Sequence, residues 1–582
     1  MRRLRRLTPS AWLDASELRI GLGCMRLSTE PGRDEALAAK TIAAAVEAGI
    51  TVFDTAHAYG QGEADMGRGE RLLAAALTES GATASARVVT KGGMTRPAGA
   101  WLPDGRAKRI LGDCEASLAA LHGVPIDLYL IHAPDPRTPW RTSLRALARL
   151  LDEGMVRRVG LSNVNRHQLD EALELVPVTA VEVALSLQDD RALRGGIVER
   201  CEQSGIAVIA HSPLGGPGRA AGLARRAPVA EAARAASATP AEVALAWLLG
   251  VSPAIVAIPG ARRPDTARSA ARAARLSLEP ELAAALRPIR LPRSAPAPSG
   301  AGAEVVLIMG IPGAGKTRLA DGYVTRGFAR LNRDERGGAL RGLAAELDGL
   351  LVGGARRVVL DNTYLTRAAR SYVIETAGRH GVRTRCVWLQ TPLAQAQVNL
   401  VERLLLRFGS LPTPEELRAA GRREPGLLAP TQQMRALREL EPPSADEGFA
   451  AVEVIEFARA ASPERSGAGA FVAAAALDRP GLKGSLSHLD PGAPHLIFDW
   501  RPGASPDALV SLAAHLSGRS VETAVCPHDA GPPQCWCRPP LPGLPLAFAH
   551  AHRLDPARCT LIGTSPAHRT MAATLGARYV GA

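Results

Sequence analysis

The chain has 582 residues, which is too many for a single hydrophobic core, so we expect several domains. Its hydrophobic fraction of 46% and its mean hydropathy of +0.00 are typical of soluble globular domains. No apolar run reaches the roughly 18 residues that a membrane-spanning helix needs, and the basic first residues lack the apolar stretch of a secretory signal. We therefore expect a cytoplasmic protein with no membrane partner.

The net charge of +13 favours a polyanionic partner, because a basic surface attracts nucleic acids. Arginine greatly outnumbers lysine, however, and alanine, glycine and proline are abundant, a pattern that a GC-rich coding sequence also produces. Charge alone therefore does not identify a nucleic-acid-binding protein.

Two stretches rich in proline, alanine, serine and glycine divide the chain, and neither has a hydrophobic periodicity. They are residues 291–303 and 459–469, which we interpret as linkers. The predicted domains are therefore residues 1–290, 304–458 and 470–582.

All three domains have the alternating strand and helix signals of α/β folds. In the first domain, eight short apolar segments separated by amphipathic stretches predict a (β/α)8 TIM barrel, in which the chemistry lies at the carboxyl ends of the strands. The second domain begins with a strand, a glycine-rich loop and a helix, which predicts a three-layer P-loop kinase fold. The third domain predicts a small α/β unit.

Four polar residues of the first domain lie at the carboxyl ends of predicted barrel strands: Asp54, Tyr59, Lys91 and His132. Transfer of a hydride to a carbonyl builds negative charge on oxygen, so the reaction needs a proton donor. A phenol such as Tyr59 donates poorly near neutral pH unless a cation adjusts its pKa. Lys91 can supply that cation, Asp54 can hold Lys91, and His132 can orient the carbonyl by a hydrogen bond.

In order and context, these four residues resemble the catalytic tetrad of the aldo-keto reductases. The resemblance covers residues 18–285 and implies NADPH-dependent reduction of a small aldehyde or ketone. It also implies that Ser162 and Asn163 bind the nicotinamide carboxamide. Glu182 replaces the usual glutamine beside them, and His211 replaces the aromatic residue that commonly stacks on the nicotinamide ring.

The rest of the cofactor site is implied by two further segments. The segment that matches the pyrophosphate loop contains Ser212, Leu214 and Gly215. The segment that matches the adenosine-phosphate site contains Gly260, Arg262 and Arg263. Gly260 replaces a frequent lysine, but either arginine can engage a 2′-phosphate, which favours NADPH over NADH.

Residues 310–317 satisfy the pattern GxxxxGK[ST] directly after an apolar strand. Gly310, Gly313 and Gly315 allow backbone N–H groups to close around the phosphates of ATP. We expect Lys316 to reach the β- and γ-phosphates as a catalytic residue and Thr317 to bind Mg²⁺.

The acceptor of the phosphoryl group is less well defined. Asp334 follows a predicted strand and can take a proton from an attacking hydroxyl, and Arg333 and Asp361 lie at neighbouring strand ends. These segments resemble the kinase module of polynucleotide kinase/phosphatase proteins, which phosphorylate 5′-hydroxyl ends of DNA or RNA. The resemblance implies that Asp334 is the general base, that Arg333 and Asp361 bind substrate, and that Arg403 is a lid arginine. A small metabolite is the alternative acceptor.

The third domain carries a Cys-x-His and a Cys-x-Cys pair: Cys526, His528, Cys535 and Cys537. Three thiolates and one imidazole suit a closed, structural Zn²⁺ site. The segment resembles the zinc loop of bacterial heptose bisphosphate phosphatases, which belong to the haloacid dehalogenase (HAD) superfamily.

The other catalytic positions of that superfamily are altered. Asp478 matches the nucleophile, but Pro480 replaces the acid and Pro539 the lysine. Thr564 and His568 replace the late acidic pair that binds Mg²⁺. Hydrolysis by this route then lacks its charge stabilisation, so we expect an inactive, degenerate scaffold.

The sequence thus predicts a bifunctional fusion of a reductase and a 5′-hydroxyl polynucleotide kinase. Two alternatives remain open. One is a reductase fused to a small-molecule kinase of the same pathway, and the other is a cofactor-sensing, nucleic-acid-binding regulator.

Overall fold

The computed structural model describes residues 12–286, 302–336, 340–424, 426–457, 465–479, 484, 490–516, 518–531 and 533–582. The chain forms two compact units, Met1–Arg293 and Ser294–Ala582. Among the described residues, no helix combines the length and the apolarity that crossing a bilayer requires.

The first unit is built on an eight-stranded parallel sheet of order β1-β2-β3-β6-β7-β8-β9-β10. Its strands are β1 (Gly21–Gly23), β2 (Val52–Asp54), β3 (Arg87–Gly92), β6 (Ile126–Ile131), β7 (Val159–Ser162), β8 (Val178–Ala184), β9 (Ala207–His211) and β10 (Ile255–Ile258). A parallel bridge between Ile20 and Ala257 joins the two edges, so the sheet is nearly closed. The predicted eight-stranded barrel is confirmed.

The helices of this unit surround the sheet. They are α1 (Met25–Thr29), α2 (Glu35–Glu47), α3 (Arg68–Glu79), α4 (Ala107–Ala120), α5 (Trp140–Asp152), α6 (Arg166–Leu173), α7 (Arg191–Arg194), α8 (Ile197–Gln203), α9 (Ala227–Ala235), α10 (Pro240–Val251), α11 (Pro264–Ala273) and α12 (Pro280–Leu286). A small antiparallel hairpin, β4 (Met94–Thr95) and β5 (Leu102–Pro103), follows β3. The local sequence explains these elements: α10, for example, begins with a capping box between Thr239 and Glu242.

The second unit contains two five-stranded parallel sheets. The first has the order β12-β13-β11-β14-β15, and the second has the order β18-β17-β16-β19-β20. The strands of the first sheet are β11 (Glu304–Met309), β12 (Ala329–Leu331), β13 (Arg357–Asp361), β14 (Arg383–Gln390) and β15 (Ala451–Glu456). Those of the second are β16 (Ala470–Ala473), β17 (Pro494–Trp500), β18 (Ser520–Cys526), β19 (Thr560–Gly563) and β20 (Arg578–Gly581).

The helices around the first of these sheets are α13 (Lys316–Val324), α14 (Arg333–Arg336), α15 (Leu340–Val352), α16 (Arg367–Arg379), α17 (Leu393–Phe408), α18 (Pro414–Gly421) and α19 (Pro430–Glu439). Two longer helices accompany the second sheet, α20 (Gly543–Ala551) and α21 (Pro566–Leu575). Helix α17 packs against both α20 and α21, and its Val401 and Leu404 lie in one hydrophobic cluster with Leu546. The two sheets therefore share part of a core.

A fully buried guanidinium joins several loops around the first of these sheets. Arg370 on α16 forms two hydrogen bonds with the carboxylate of Glu447, at 2.6 and 2.8 Å. Its third nitrogen donates to the backbone carbonyls of Tyr364, Leu365 and Glu441 at 3.0–3.2 Å. Because both charges are buried, each depends on the other for compensation.

Replacing Arg370 with Met should therefore leave Glu447 as an unpaired buried charge and lower the free energy of unfolding by about 3–5 kcal/mol. Arg367→Met is the matched control, since Arg367 pairs at 3.0 Å with a half-exposed Asp446 and should contribute about 1 kcal/mol or less. Urea unfolding of the full chain measures both values. Equal losses in the two variants would contradict this interpretation.

Candidate functional site

A fully buried ammonium group lies at the carboxyl end of the barrel. Lys91 Nζ donates to Asp54 Oδ1 at 2.5 Å and to the carbonyl of Thr55 at 3.0 Å. It also donates to the hydroxyl of Tyr59 at 3.3 Å and lies 3.3 Å from Glu182 Oε2. Strands β2, β3 and β8 thus bring two carboxylates, one ammonium and one phenol together.

The fourth residue of the predicted tetrad completes this group. His132 directly follows β6, and its ring lies edge-to-face with that of Tyr59, with a centroid distance of 5.8 Å. Both side chains are buried. The structure therefore brings together Asp54, Tyr59, Lys91 and His132, as the sequence predicts.

The charges around Lys91 determine the protonation states. Burial lowers the pKa of Lys91, but Asp54 and Glu182 outweigh it and hold that pKa well above its ordinary value. Burial and the nearby Glu182 raise the pKa of Asp54 to about 8, against the opposing effect of Lys91. Burial also raises the pKa of Tyr59, which Lys91 only partly offsets, so the phenol is protonated at neutral pH.

The two histidines of the site are neutral because burial and the charge of Lys91 lower their pKa values. Burial and the charge of Lys91 lower the pKa of His132 well below its ordinary value. Burial, with a smaller contribution from Lys91, lowers the pKa of His211 to about 4. A neutral His132 can donate one hydrogen bond without adding charge to the site.

The predicted nicotinamide residues form a connected rim beside the tetrad. Asn163 has φ 56°, and its backbone N–H donates to the carbonyl of Glu182 at 2.8 Å. Its side-chain amide donates to the carbonyl of His132 at 3.0 Å and to Ser162 Oγ at 3.0 Å. The other end of that amide, Asn163 Oδ1, lies 3.2 Å from His211 Nε2.

The residues predicted to bind the rest of the cofactor follow β9 and β10. Ser212, with φ 52°, Leu214 and Gly215 lie in the loop directly after β9. Gly260 follows β10, and Arg263 precedes α11 and is exposed. Arg262 is also exposed, but it pairs with Glu30 at 2.8 Å, so a ligand phosphate would have to compete with that carboxylate.

One aromatic residue of this site was missed by the sequence analysis. Trp101 lies before β5, is 43% exposed, and makes edge-to-face contacts with Tyr59 and His132. The guanidinium of Arg96 stacks 3.7 Å from the Trp101 ring centroid. Neither residue belongs to a periodic segment, so the only available signal was an aromatic residue shortly after the strand that carries Lys91.

In the second unit, the glycine-rich loop joins β11 to α13. Lys316 Nζ donates to the carbonyls of Gly310 and Ile311 at 3.0 Å each, and Thr317 is exposed. Gly313 has φ 87°, and a Cβ there would lie 2.3 Å from the carbonyl oxygen of Ala396, so the loop requires glycine.

Helices α17 and α19 hold this loop from outside. Asn399 on α17 donates to the carbonyl of Gly313 at 2.7 Å, and Gln433 on α19 donates to that of Pro312 at 3.1 Å. Arg403 lies one turn beyond Asn399, is exposed, and donates to the carbonyl of Gly426 at 3.2 Å.

The predicted acceptor residues lie at the ends of β12 and β13. Arg333 begins α14, and its backbone N–H donates to Asn362 Oδ1 at 3.0 Å. Asp334 is in the same helix, but its side chain lies outside the described part of the chain. Asp361 is buried and accepts from Arg330 at 2.6 Å and Asn332 at 3.0 Å, so it links β12 to β13.

The four predicted metal ligands converge at the end of β18. All four ligand atoms lie within 4.8 Å of one another. Cys526 Sγ is 3.8 Å from Cys535 Sγ and 3.2 Å from Cys537 Sγ, while His528 Nδ1 is 3.3 Å from Cys537 Sγ. A tetrahedral zinc with sulfur ligands at about 2.3 Å has edges of about 3.8 Å, which these distances approach.

The remaining phosphatase-like positions show no catalytic grouping among the described residues. Asp478 is largely exposed, and the imidazole of His515 lies 3.8 Å from its carboxylate. Pro480 lies outside the described residues. His568 accepts a hydrogen bond from the backbone N–H of Thr564 at 3.2 Å, which fixes the turn before α21.

The two units of the chain match different protein families. Residues 19–290 match the model of the aldo/keto reductase family, and residues 305–415 match that of an AAA domain. An uncharacterised oxidoreductase of Schizosaccharomyces pombe is 31% identical over 275 residues, which are 46% of this chain and 85% of that protein.

Solved structures give similar matches. The thermostable aldo-keto reductase Tm1743 is 29% identical, with a TM-score of 0.40 over 46% of this chain and 93% of that one. An aldo/keto reductase of Klebsiella pneumoniae, solved with NADP and acetate, is 25% identical, with a TM-score of 0.39 over 46% of this chain and 89% of that one.

Proposed function

Because the chain belongs to the aldo/keto reductase family through residues 19–290, we propose that its first unit reduces a small aldehyde or ketone with NADPH. The observation that carries this proposal is the position of the Tyr59 hydroxyl. It lies 3.3 Å from Lys91 Nζ and beside the ring of His132, in a buried site at the carboxyl end of the barrel.

The residues present fit a nicotinamide cofactor. In the described part of the chain, Thr55 Oγ1 and His132 Nδ1 are buried polar atoms without a hydrogen-bond partner, and Glu182 Oε2 has the Lys91 ammonium 3.3 Å away but no further donor. A carboxamide N–H₂ group is a suitable donor for Glu182, and the exposed Arg262 and Arg263 offer donors for a 2′-phosphate. When bound, the cofactor supplies the hydride.

The chain's own residues then handle the proton and the carbonyl. The neutral ring of His132 donates a hydrogen bond to the carbonyl oxygen and sets its angle. Tyr59 donates its proton to the oxygen as negative charge develops there. Lys91, held by Asp54 and Glu182, stabilises the resulting tyrosinate.

Replacing Tyr59 with Phe should lower the kcat of carbonyl-dependent NADPH oxidation by about 10²–10⁴-fold, because the proton donor is lost. Cofactor affinity should stay near the wild-type value. Tyr129→Phe is the matched control, since that buried hydroxyl donates to the backbone carbonyl of Ile110 at 3.1 Å. Unchanged turnover in the Tyr59 variant would refute the proton-donor role.

For the second unit, we propose ATP- and Mg²⁺-dependent transfer of a phosphoryl group to the 5′-hydroxyl end of DNA or RNA. The match of residues 305–415 and the loop before α13 support a P-loop kinase-like domain. Lys316 and Thr317 would bind the phosphates and Mg²⁺, Asp334 would accept the proton, and Arg333 and Arg403 would contact phosphate groups. A small metabolite stays the second candidate acceptor.

We expect Lys316→Ala to lower phosphoryl transfer by at least about 10²-fold and Asp334→Asn by about 10²–10⁴-fold, through loss of phosphate binding and of the base. The assay uses labelled ATP and Mg²⁺ with 5′-hydroxyl DNA, 5′-hydroxyl RNA and a panel of metabolites. Asp348→Asn, on α15, is the control and should leave activity unchanged, because this partly exposed carboxylate pairs with His380 at 2.8 Å. Transfer to metabolites alone would overturn the polynucleotide proposal, and the absence of any transfer would favour a regulatory module.

For the last part of the chain, we propose a HAD-like scaffold that holds Zn²⁺ and has lost phosphatase activity. The sheet order β18-β17-β16-β19-β20 and the four convergent ligands support this proposal. The indole of Trp536, within the same loop, donates to the carbonyl of Leu428 at 2.8 Å. The metal loop is thus packed against the kinase-like part of the same unit.

The purified protein should contain about one zinc ion per chain, and Cys535→Ser should remove most of it and lower the thermal stability of the second unit. Cys559→Ser is the matched control, because that buried thiol donates to the backbone carbonyl of Asp555 and does not belong to the Cys/His cluster. Metal content is measured by mass spectrometry and stability by calorimetry. Retention of full zinc content by the Cys535 variant would contradict the assigned ligand set.

A further inference from the structure

The ammonium of Lys91 faces one more carboxylate than a simple ion pair requires. Asp54 Oδ1 lies at 2.5 Å and Glu182 Oε2 at 3.3 Å from the same nitrogen, and all three side chains are buried. A single carboxylate would make this cluster neutral. With both carboxylates ionised, it carries a net charge of −1.

Among the described residues next to the cluster, no other group cancels that charge. The two histidines, His132 after β6 and His211 on β9, are neutral because burial depresses their pKa values. Burial raises the pKa values of the Tyr59 phenol and the Cys24 thiol, which keeps both protonated.

The charged groups somewhat farther away are engaged elsewhere. The guanidinium of Arg96 donates to the backbone carbonyls of Ala58, Gly60 and Gly99 and stacks on an indole. Asp189 and Arg191, near His211, form an ion pair at 2.6 Å and largely compensate each other. The net charge at the base of the site therefore depends on Asp54, Lys91 and Glu182.

Glu182 also belongs to the predicted nicotinamide rim. Its backbone carbonyl accepts from the N–H of Asn163 at 2.8 Å, and among the described residues its Oε2 makes no hydrogen bond besides the ion pair with Lys91. The residue thus connects the charge of the tetrad with the surface that would contact the nicotinamide ring. An oxidised nicotinamide ring carries a positive charge, and a reduced one is neutral.

Resting on the proposed NADPH-dependent function, we propose that Glu182 makes the site discriminate between the two redox states of the cofactor by charge. The extra carboxylate favours the cationic oxidised ring over the neutral reduced ring, because the attraction acts through a buried, water-poor site.

This discrimination depends on pH in a defined direction. The pKa of Asp54 is raised to about 8 by burial and by Glu182, so the carboxylate pair retains a proton below that pH and the cluster is neutral. Above it the proton leaves and the cluster becomes negative. The preference for NADP⁺ over NADPH should therefore increase as the pH rises.

The test compares the Kd values of NADP⁺ and NADPH for the full chain at pH 6.5 and pH 9.5, by quenching of tryptophan fluorescence. The quantity of interest is the ratio of Kd for NADPH to Kd for NADP⁺. The 2′-phosphate titrates in both cofactors alike, so it cancels from this ratio. In the wild type we expect the ratio to increase on the order of tenfold, as for one unit charge acting over roughly 10 Å at an effective dielectric constant of about 20.

The informative variant is Glu182→Gln, which keeps the shape of the side chain and removes its charge. We expect it to bind both cofactors, with a ratio that is lower than the wild-type value at pH 9.5 and nearly independent of pH. Glu171→Gln, on the outer helix α6, is the matched control and should behave as the wild type.

The outcomes separate this proposal from the proposed function. A wild-type ratio that does not change with pH, or a Glu182→Gln variant with the wild-type ratio at both pH values, would overturn the role of Glu182. Loss of binding of both cofactors in that variant would overturn it too, because the amide should substitute for the carboxylate in shape. Failure of the wild type to bind either cofactor would instead overturn the reductase proposal, since this assay needs neither a carbonyl substrate nor turnover.

Discussion

A single buried ammonium sets the requirements that the barrel has to satisfy. Removing the charge of Lys91 from water costs several kcal/mol, which only well-placed opposite charges can offset. Those charges come from Asp54 at the end of β2 and Glu182 on β8, and the two strands are far apart in sequence. The site therefore exists only when the parallel sheet curves into a nearly closed barrel, and the parallel bridge between Ile20 and Ala257 is part of the same requirement.

Much of the first unit could be predicted from its sequence because its signals are local. Short apolar strands alternate with amphipathic helices, and Asp54, Lys91 and His132 each lie at or next to the end of a strand. What the sequence could not provide is contact across the barrel. The predicted role of Glu182 concerned the cofactor, whereas its carboxylate also lies 3.3 Å from Lys91 Nζ, a distance that depends on the curvature of the sheet. Trp101 was missed because its loop has no periodicity.

The second unit shows a different limit of sequence reasoning. The predicted linker at residues 459–469 lies partly outside the described residues and stays a prediction, while the two parallel sheets on either side of it belong to one compact unit. The two sheets share one unit because helix α17 makes contacts with both parts of it. Ala396 and Asn399 contact the glycine-rich loop that joins β11 to α13. Val401 and Leu404 pack in the cluster that includes Leu546 of α20. Hydrophobic periodicity indicates that such a helix is buried but not which neighbours bury it.

That arrangement gives a physical reason for the composition of the last part of the chain. Packing against α17 requires apolar residues and a loop of fixed shape, which the proposed zinc site would supply, and it requires no catalytic acids. Cys526 and Cys537 are buried, whereas in the proposed phosphatase resemblance Pro539, Thr564 and His568 replace charged residues. Asn399 of α17 donates to the carbonyl of Gly313. A loss of packing on one side of this helix would therefore displace the glycine-rich loop on its other side. The last part of the chain is thus positioned to affect the glycine-rich loop between β11 and α13 through packing alone.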